Sequence, residues 1–365
     1  MPVKLGLVGL PNVGKSTLLN ALTRAGALVA NYPFTTIDPN VGVAPVPDPR
    51  LVRIADIIQP ERVVPATLHV VDIAGLVKGA SHGEGLGNQF LAHIRTMDAV
   101  AMIVRCFSDP DVPHVTTTLD PAADIDVVAT ELALADLAIL ERHLDRLRSA
   151  AKGNPRAYAT RIAACERAKE LLSQGKMLHG LAESDVEQAA WAEPDLITTK
   201  PMLCVANVGE ADLPGGGPLA AQVSRRSAEL GLQDVVLCAA LEAELAEWQP
   251  AEAEAMLADY GLQGTGLQRF VWAGYRLLQL LTYFTTTGGQ EVRAWALKQG
   301  QTALDAAEQI HSDMARGFIR AEVVSYSDLD RAGSMARARE QGHLRLEGRD
   351  YIVADGDVLH IRFAL

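Results

Sequence analysis

Eight residues near the N-terminus, Gly9-Leu10-Pro11-Asn12-Val13-Gly14-Lys15-Ser16, have the glycine spacing and Lys-Ser ending of a phosphate-binding loop. Glycine lets the backbone turn until several N–H groups face one anion. The lysine supplies a cation for β- and γ-phosphates, and the serine hydroxyl is a ligand for Mg2+. Asn12, Val13, Gly14, Lys15, Ser16 and Thr17 are the expected phosphate cradle, and Lys15 is also expected to act in catalysis by neutralising phosphate charge. Two elements must hold this loop in place. The apolar run Lys4 to Val8 predicts a strand entering it, and Thr17 to Leu22 predicts a helix leaving it.

A second apolar strand ends in Asp72-Ile73-Ala74-Gly75, the D-x-x-G element of phosphate-loop GTPases. Asp72 is expected to support the metal and the Gly75 amide to meet the γ-phosphate. Between the two motifs, the proline-bounded segment 31–40 suits a switch loop, with Thr36 as the metal ligand and Thr35 as the alternative. Glycines at 75, 79, 83, 85 and 87 predict a second switch. Leu76 stands where many GTPases place a water-orienting glutamine, and an aliphatic side chain cannot polarise water. His82 and His114 are the candidate replacements. A further strand ends in Asn207-Val208-Gly209-Glu210, where guanine readers carry N-K-x-D. The longer Glu210 loses the two-proton geometry of that aspartate, while the Asn207 amide suits N6 and N7 of adenine, so ATP is the expected nucleotide.

The chain has 365 residues, which predicts more than one domain. Cys106, Cys165, Cys204 and Cys238 are widely spaced, which argues against disulfides or structural zinc and for a cytoplasmic, reducing compartment. No apolar run is long enough to span a membrane, and a net charge of −12 argues against a chain that coats nucleic acid. Strands alternating with helices at Leu5 to Val8, Leu68 to Val71, Ala99 to Arg105, Met202 to Ala206 and Val235 to Cys238 predict an α/β fold with a parallel sheet. Leu137, Leu140, Leu144 and Leu147, then Ile162, Cys165, Lys169 and Leu172 after a Gly153-Asn154-Pro155 break, predict an inserted helical hairpin. Residues 141–176 hold nine Lys/Arg against four acids, a local excess of +5 that fits either a solvated face or a nucleic-acid contact. Beyond residue 281, expected strands at Glu291 to Leu297, Gly317 to Val324, Asp350 to Val353 and Val358 to Phe363, with a helix at Thr302 to His311, predict a small α+β domain.

Taken together, G-L-P-N-V-G-K-S, N-Y-P-F-T-T-I-D-P-N, D-I-A-G-L-V-K-G-A-S-H-G-E-G-L-G-N and N-V-G-E resemble the Obg-like ATPases, or YchF family. The C-terminal E-V-R-A-W, I-H-S-D-M-A-R-G-F-I-R-A-E-V and D-Y-I-V-A-D-G-D-V-L-H resemble its TGS domain, a ubiquitin-like β-grasp module. The resemblance implies an Obg-type G-domain core, an inserted coiled coil, Mg2+-dependent ATP hydrolysis and association with ribosomes. It raises His114 over His82 as the hydrolytic group, and it matches Asn12 to an asparagine that supports K+ in related GTPases. Two segments depart from the pattern. Cys238-Ala239-Ala240 stands where the family has S-A-K, and Thr287-Gly288-Gly289-Gln290 replaces the usual A-G-P turn.

The expected organisation is a nucleotide domain of residues 1–127 plus 198–280, an inserted coiled coil of 128–197 and a TGS domain of 281–365. A monomeric, cytoplasmic ATPase that acts at the ribosome and touches no membrane is the expected whole. The alternatives are an Obg-type GTPase and a non-catalytic, nucleotide-gated ribosome or RNA adaptor.

Overall fold

The computed structural model describes residues 3–29, 40–73, 86–113, 118–287 and 289–364, with the backbone alone at 26–29, 86–89 and 250. The first sheet is built from β1 (Lys4–Val8), β2 (Val41–Pro45), β4 (Thr67–Asp72), β5 (Ala99–Cys106), β6 (Met202–Val208) and β7 (Gln233–Leu237), while β3 (Arg62–Val64) lies elsewhere. Its order is β2-β4-β1-β5-β6-β7. Five strands run parallel, as expected, and β2 is an antiparallel edge on β4. Every residue of β5 and β6 is buried, because helices cover both faces of the sheet centre and leave no polar side to alternate. One polar residue breaks each run: Arg105 in β5 and Asn207 in β6.

The helical insert starts inside the nucleotide-domain core. The helix Pro121–Ala151 packs Ile125, Val128 and Leu132 against that core, then carries Leu140, Leu144 and Leu147 into a separate one. It pairs there with the helix Pro155–Ser173, whose start follows the Gly153-Asn154-Pro155 break. The expected seam is one residue off at Lys169. Ala168 is fully buried, and Lys169 lies outside on Glu141. A third helix, Asp185–Ala192, closes the cluster with Trp191, whose indole N–H donates to the Ala164 carbonyl at 2.8 Å.

The C-terminal sheet adds β8 (Leu280–Thr287), β9 (Glu291–Lys298), β10 (Phe318–Ser325), β11 (Arg345–Glu347) and β12 (Asp357–Phe363) in the order β11-β10-β12-β8-β9-β3. Its edge strand β3 comes from near the N-terminus, so the two sheets are laced together by the chain itself. Residues 350–353 form no strand. Only a bridge from Thr302 to Ile352 is made there, because Thr302 caps the helix Ala303–Ile310 and pairing stops with it. Arg50 fastens the modules further: its guanidinium bonds Asp48, donates to Asp355 at 2.7 Å and lies over the Phe284 ring.

Candidate functional site

The phosphate loop follows β1 and feeds the helix Lys15–Val29. Its glycines are required by contact as well as by turn. Gly9 has φ +152°, and a Cβ there would lie 2.4 Å from the Ile103 carbonyl of β5; at Gly14, with φ +97°, it would lie 2.3 Å from Asn207 Nδ2. The loop is therefore wedged between its neighbouring strands. Asn207 holds it from below, donating to the Val13 carbonyl at 2.9 Å and accepting from the Ala239 amide at 2.9 Å.

Lys15 is 8% exposed, and its ammonium donates to the Gly9 and Leu10 carbonyls at 3.0 and 2.8 Å. Burial lowers its pKa, opposed by the Asp72 carboxylate. The Ser16 hydroxyl donates to Asp72 Oδ2 at 2.8 Å, so two of the expected metal-binding residues meet at the ends of different elements. Asp72 Oδ1 is buried with no partner among the described residues. A hydroxyl beside a carboxylate with an oxygen to spare is the hard oxygen set that a small divalent cation takes. Asn12, in a left-handed conformation with φ 61°, donates from Nδ2 to the Pro113 carbonyl at 3.1 Å.

A cavity of about 530 Å³ opens above the loop, lined by Asn12 to Thr17 on one side and by Asn207 to Glu210 on the other. That volume suits a nucleotide-sized ligand. Phe107, Ser108, Asp109 and Val112 form a further wall that the sequence reading missed, and Cys238, Ala239 and Ala240 complete the floor. Glu210 begins a short 3-10 turn after β6, exposed, and accepts from the Tyr260 hydroxyl at 3.1 Å. Cys238 is buried at the head of the helix Ala239–Leu245, and burial raises its thiol pKa. Among the expected site residues, Asn12, Val13, Gly14, Lys15, Ser16, Thr17, Asn207, Val208 and Glu210 all line this one cavity, and Asp72 borders it through Ser16. Thr36, Gly75, His82 and His114 lie outside the described residues.

The basic hairpin divides in two. Arg148, Arg161, Arg167 and Lys169 are engaged by acids, three of which (Glu183, Glu187 and Glu193) come from beyond residue 176. Arg142, Arg146, Lys152, Arg156 and Lys176 make no ion pair among the described residues.

Comparisons with known proteins agree along the whole length. A family model described as "50S ribosome-binding GTPase" matches residues 4–135, and the YchF-GTPase C-terminal model, described as "Protein of unknown function (DUF933)", matches residues 280–364. The chain is 48% identical over 363 residues to the "Ribosome-binding ATPase YchF" of Haemophilus influenzae, covering 100% of this chain and 99% of the relative. It is 46% identical over 365 residues to the protein of that name from Bacillus subtilis, covering 100% of each. The solved "Structure of the Schizosaccharomyces pombe YchF GTPase" superposes with a TM-score of 0.89 at 32% identity, covering 99% of this chain and 97% of that one.

Proposed function

The chain belongs to the YchF family, and from that premise we propose that it is an ATPase that binds the ribosome, with the Gly9–Ser16 loop carrying the nucleotide-dependent step. The observation that carries this reading is the single cavity lined by Lys15, Ser16, Asn207 and Glu210, with Asp72 held against Ser16. In the proposed active form, Lys15 exchanges the Gly9 and Leu10 carbonyls for phosphate oxygens. Ser16 and Asp72, with Thr36, hold Mg2+, which when bound offsets the charge on the β- and γ-phosphates. Gly75 meets the γ-phosphate, and His114 orients the attacking water. Asn207, Val208 and Glu210 frame adenine: the spare amide hydrogen of Asn207 can donate to N7, and Glu210, longer than aspartate and held by Tyr260, loses the two-proton geometry that guanine needs. Asn12 keeps its Oδ1 for a K+ beside the phosphates.

The names of the relatives split between ATPase and GTPase, so base preference is the point to test. ATP is expected to bind more tightly than GTP. Val208→Lys with Glu210→Asp should shift the ratio of the two dissociation constants by about tenfold or more, the scale of one good polar base contact. Tighter GTP binding by the unaltered protein makes this chain a GTPase. A non-catalytic adaptor is excluded by steady phosphate release above a Lys15→Ala control.

The proposed ribosome surface joins the unpaired hairpin cations Arg142, Arg146, Lys152 and Arg156 to the C-terminal sheet, read here as a TGS-type β-grasp module. Co-sedimentation should fall steeply with salt, and reversing those four residues to glutamate should weaken it. The proposal includes the division into residues 1–127 with 198–280, 128–197 and 281–365, a monomer, and a cytoplasmic location. None of the described helices is long and apolar enough to cross a membrane.

A further inference from the structure

Arg105 is the one basic residue in the otherwise apolar strand β5, and it is 3% exposed. Among the described residues no carboxylate pairs with it. Its guanidinium is satisfied by the loop that follows: Nε donates to the Phe107 carbonyl at 3.1 Å, Nη2 to the Val112 carbonyl at 2.9 Å and to the Asp109 carbonyl at 3.4 Å. The same group lies over the Phe107 ring, 4.5 Å from its centroid. Nη1 is buried with no partner among the described residues. The loop is thus wound around one cation.

Burying a guanidinium without a counter-ion is costly, and an aliphatic residue would fill a central strand position without that cost. What only arginine supplies here is a rigid fork that fixes several carbonyls at once. The loop so fixed is the Phe107–Val112 wall of the nucleotide cavity. Its far end is fastened separately, by Asn12 Nδ2 of the phosphate loop on the Pro113 carbonyl at 3.1 Å. The next residue in the chain is His114.

We propose that Arg105, with Asn12 at the other end of the loop, is a positioning residue for hydrolysis, setting the Phe107–Pro113 wall against the phosphate loop and fixing where the chain enters residue 114. This inference rests on the proposed hydrolytic role of His114. Neither residue touches the reacting atoms in this scheme. Both act by holding a backbone, and a displacement of about 1 Å in such a support costs turnover by up to about 100-fold.

Arg105→Lys keeps the charge and the stem and loses the fork. At saturating ATP its turnover should fall by about tenfold or more, with a smaller change in the dissociation constant for ATP. In a His114→Ala background the same substitution should lower turnover no further, because both changes remove one function. Asn12 is exposed, so Asn12→Ala gives an independent variant should Arg105→Lys fail to fold. Its turnover should fall in NaCl as well as in KCl, and in NaCl it should fall no further in the His114→Ala background, whereas a residue serving only K+ loses nothing in NaCl. Multiplying losses of the double variants in NaCl, or wild-type turnover of Arg105→Lys, overturn the proposal. If Arg105→Lys does not fold, an Asn12→Ala variant with no loss in NaCl overturns it. If His114→Ala itself turns over normally, the histidine assignment fails instead; a turnover loss in Arg105→Lys at little-changed ATP affinity then supports the positioning role, and its absence ends it.

Discussion

Asn207→Ala tests the joint on which the proposed nucleotide cradle rests. The wild-type side chain is 4% exposed and spans two segments, with Nδ2 on the Val13 carbonyl and Oδ1 on the Ala239 amide, both at 2.9 Å. Alanine removes both bonds and leaves a carbonyl and an N–H without partners. Each buried polar group so orphaned costs about 1–3 kcal/mol, which brackets the loss at about 2–6 kcal/mol. The lower part of that range is expected, because Asn207 also lines the cavity above the phosphate loop and water entering there can reach the abandoned groups. A local destabilisation of about 2–3 kcal/mol raises the population of the open loop roughly 30- to 150-fold. Hydrogen–deuterium exchange of the nucleotide-free protein reads this directly, in peptides spanning the phosphate loop and the start of the helix Ala239–Leu245. Asn207→Asp adds a directional check. It retains an acceptor for the Ala239 amide and loses the donor to Val13, so exchange should rise in the phosphate loop and stay near wild type at Ala239. If Asn207→Ala leaves both peptides as protected as in the wild type, the joint is not where the structure puts it, and the whole account of the cradle's rigidity fails with it.

Four further outcomes are expected. Burial, opposed by Glu193, holds the His143 imidazole below its usual range, so below about pH 6.5 the unfolded chain takes a proton that the folded chain refuses, and stability, complete above that pH, falls toward the depressed value; His143→Leu should flatten this acid limb in urea titrations at about pH 5.5 and 7.5, and an unchanged slope refutes it. Burial pushes Cys106 up to about 12 and Cys165 and Cys204 to about 11, so iodoacetamide at about pH 8 should label the native protein much more slowly than the urea-unfolded chain, and equal rates contradict this. Arg50→Ala should loosen the C-terminal module by about 1.5–3 kcal/mol, since it abandons charge-assisted bonds to the buried Asp48 and to the more exposed Asp355, whereas Arg53→Ala, whose pair with Asp330 is exposed, should cost much less; limited proteolysis at the module boundary separates the two, and equal effects refute the ranking. Gly14→Ala should abolish ATP binding in equilibrium titrations while far-ultraviolet circular dichroism stays native, because the new methyl group falls 2.3 Å from Asn207 Nδ2, and retained affinity shows that the cradle can yield.

That the described chemistry-bearing residues would meet at one cavity was legible because backbone geometry restricts their types. Gly9, Gly14, Lys15 and Ser16 sit at fixed spacing since the chain must turn, approach β5 and β6 closely, and begin a helix within eight residues. The same holds for Asp72 at the end of a buried strand. The main strands of the nucleotide domain were equally plain, as continuous apolar runs bounded by turns. The elements that escaped are those whose existence depends on a partner far away in the sequence. β3 is three residues long and forms because β9, more than two hundred residues later, offers it an edge. At 350–353 the reverse occurs: the residues have strand character, but no edge is open beyond the single bridge to Thr302.

Periodicity fails in the same way where one residue decides it. Counting 3 and 4 along the second hairpin helix puts Lys169 in the seam, yet Ala168 is the residue buried there at 0% exposure, in one apolar cluster with Trp191, because burying an ammonium is costly and Lys169 instead stays outside on Glu141. The Phe107–Val112 wall is a subtler case. Phe107 and Val112 carry no motif, and an aromatic or valine after a strand is ordinary in composition. Arg105 was the available signal: a charge in a strand buried along its whole length must be answered by acceptors, and here they are carbonyls of the loop that follows. Asking where a buried cation finds its acceptors points to the wall. The same question put to Asn207 in β6 leads to Val13 and Ala239, the two other edges of the cavity. In this chain the polar interruptions of the two central strands mark the proposed nucleotide site as clearly as the glycine-rich loop.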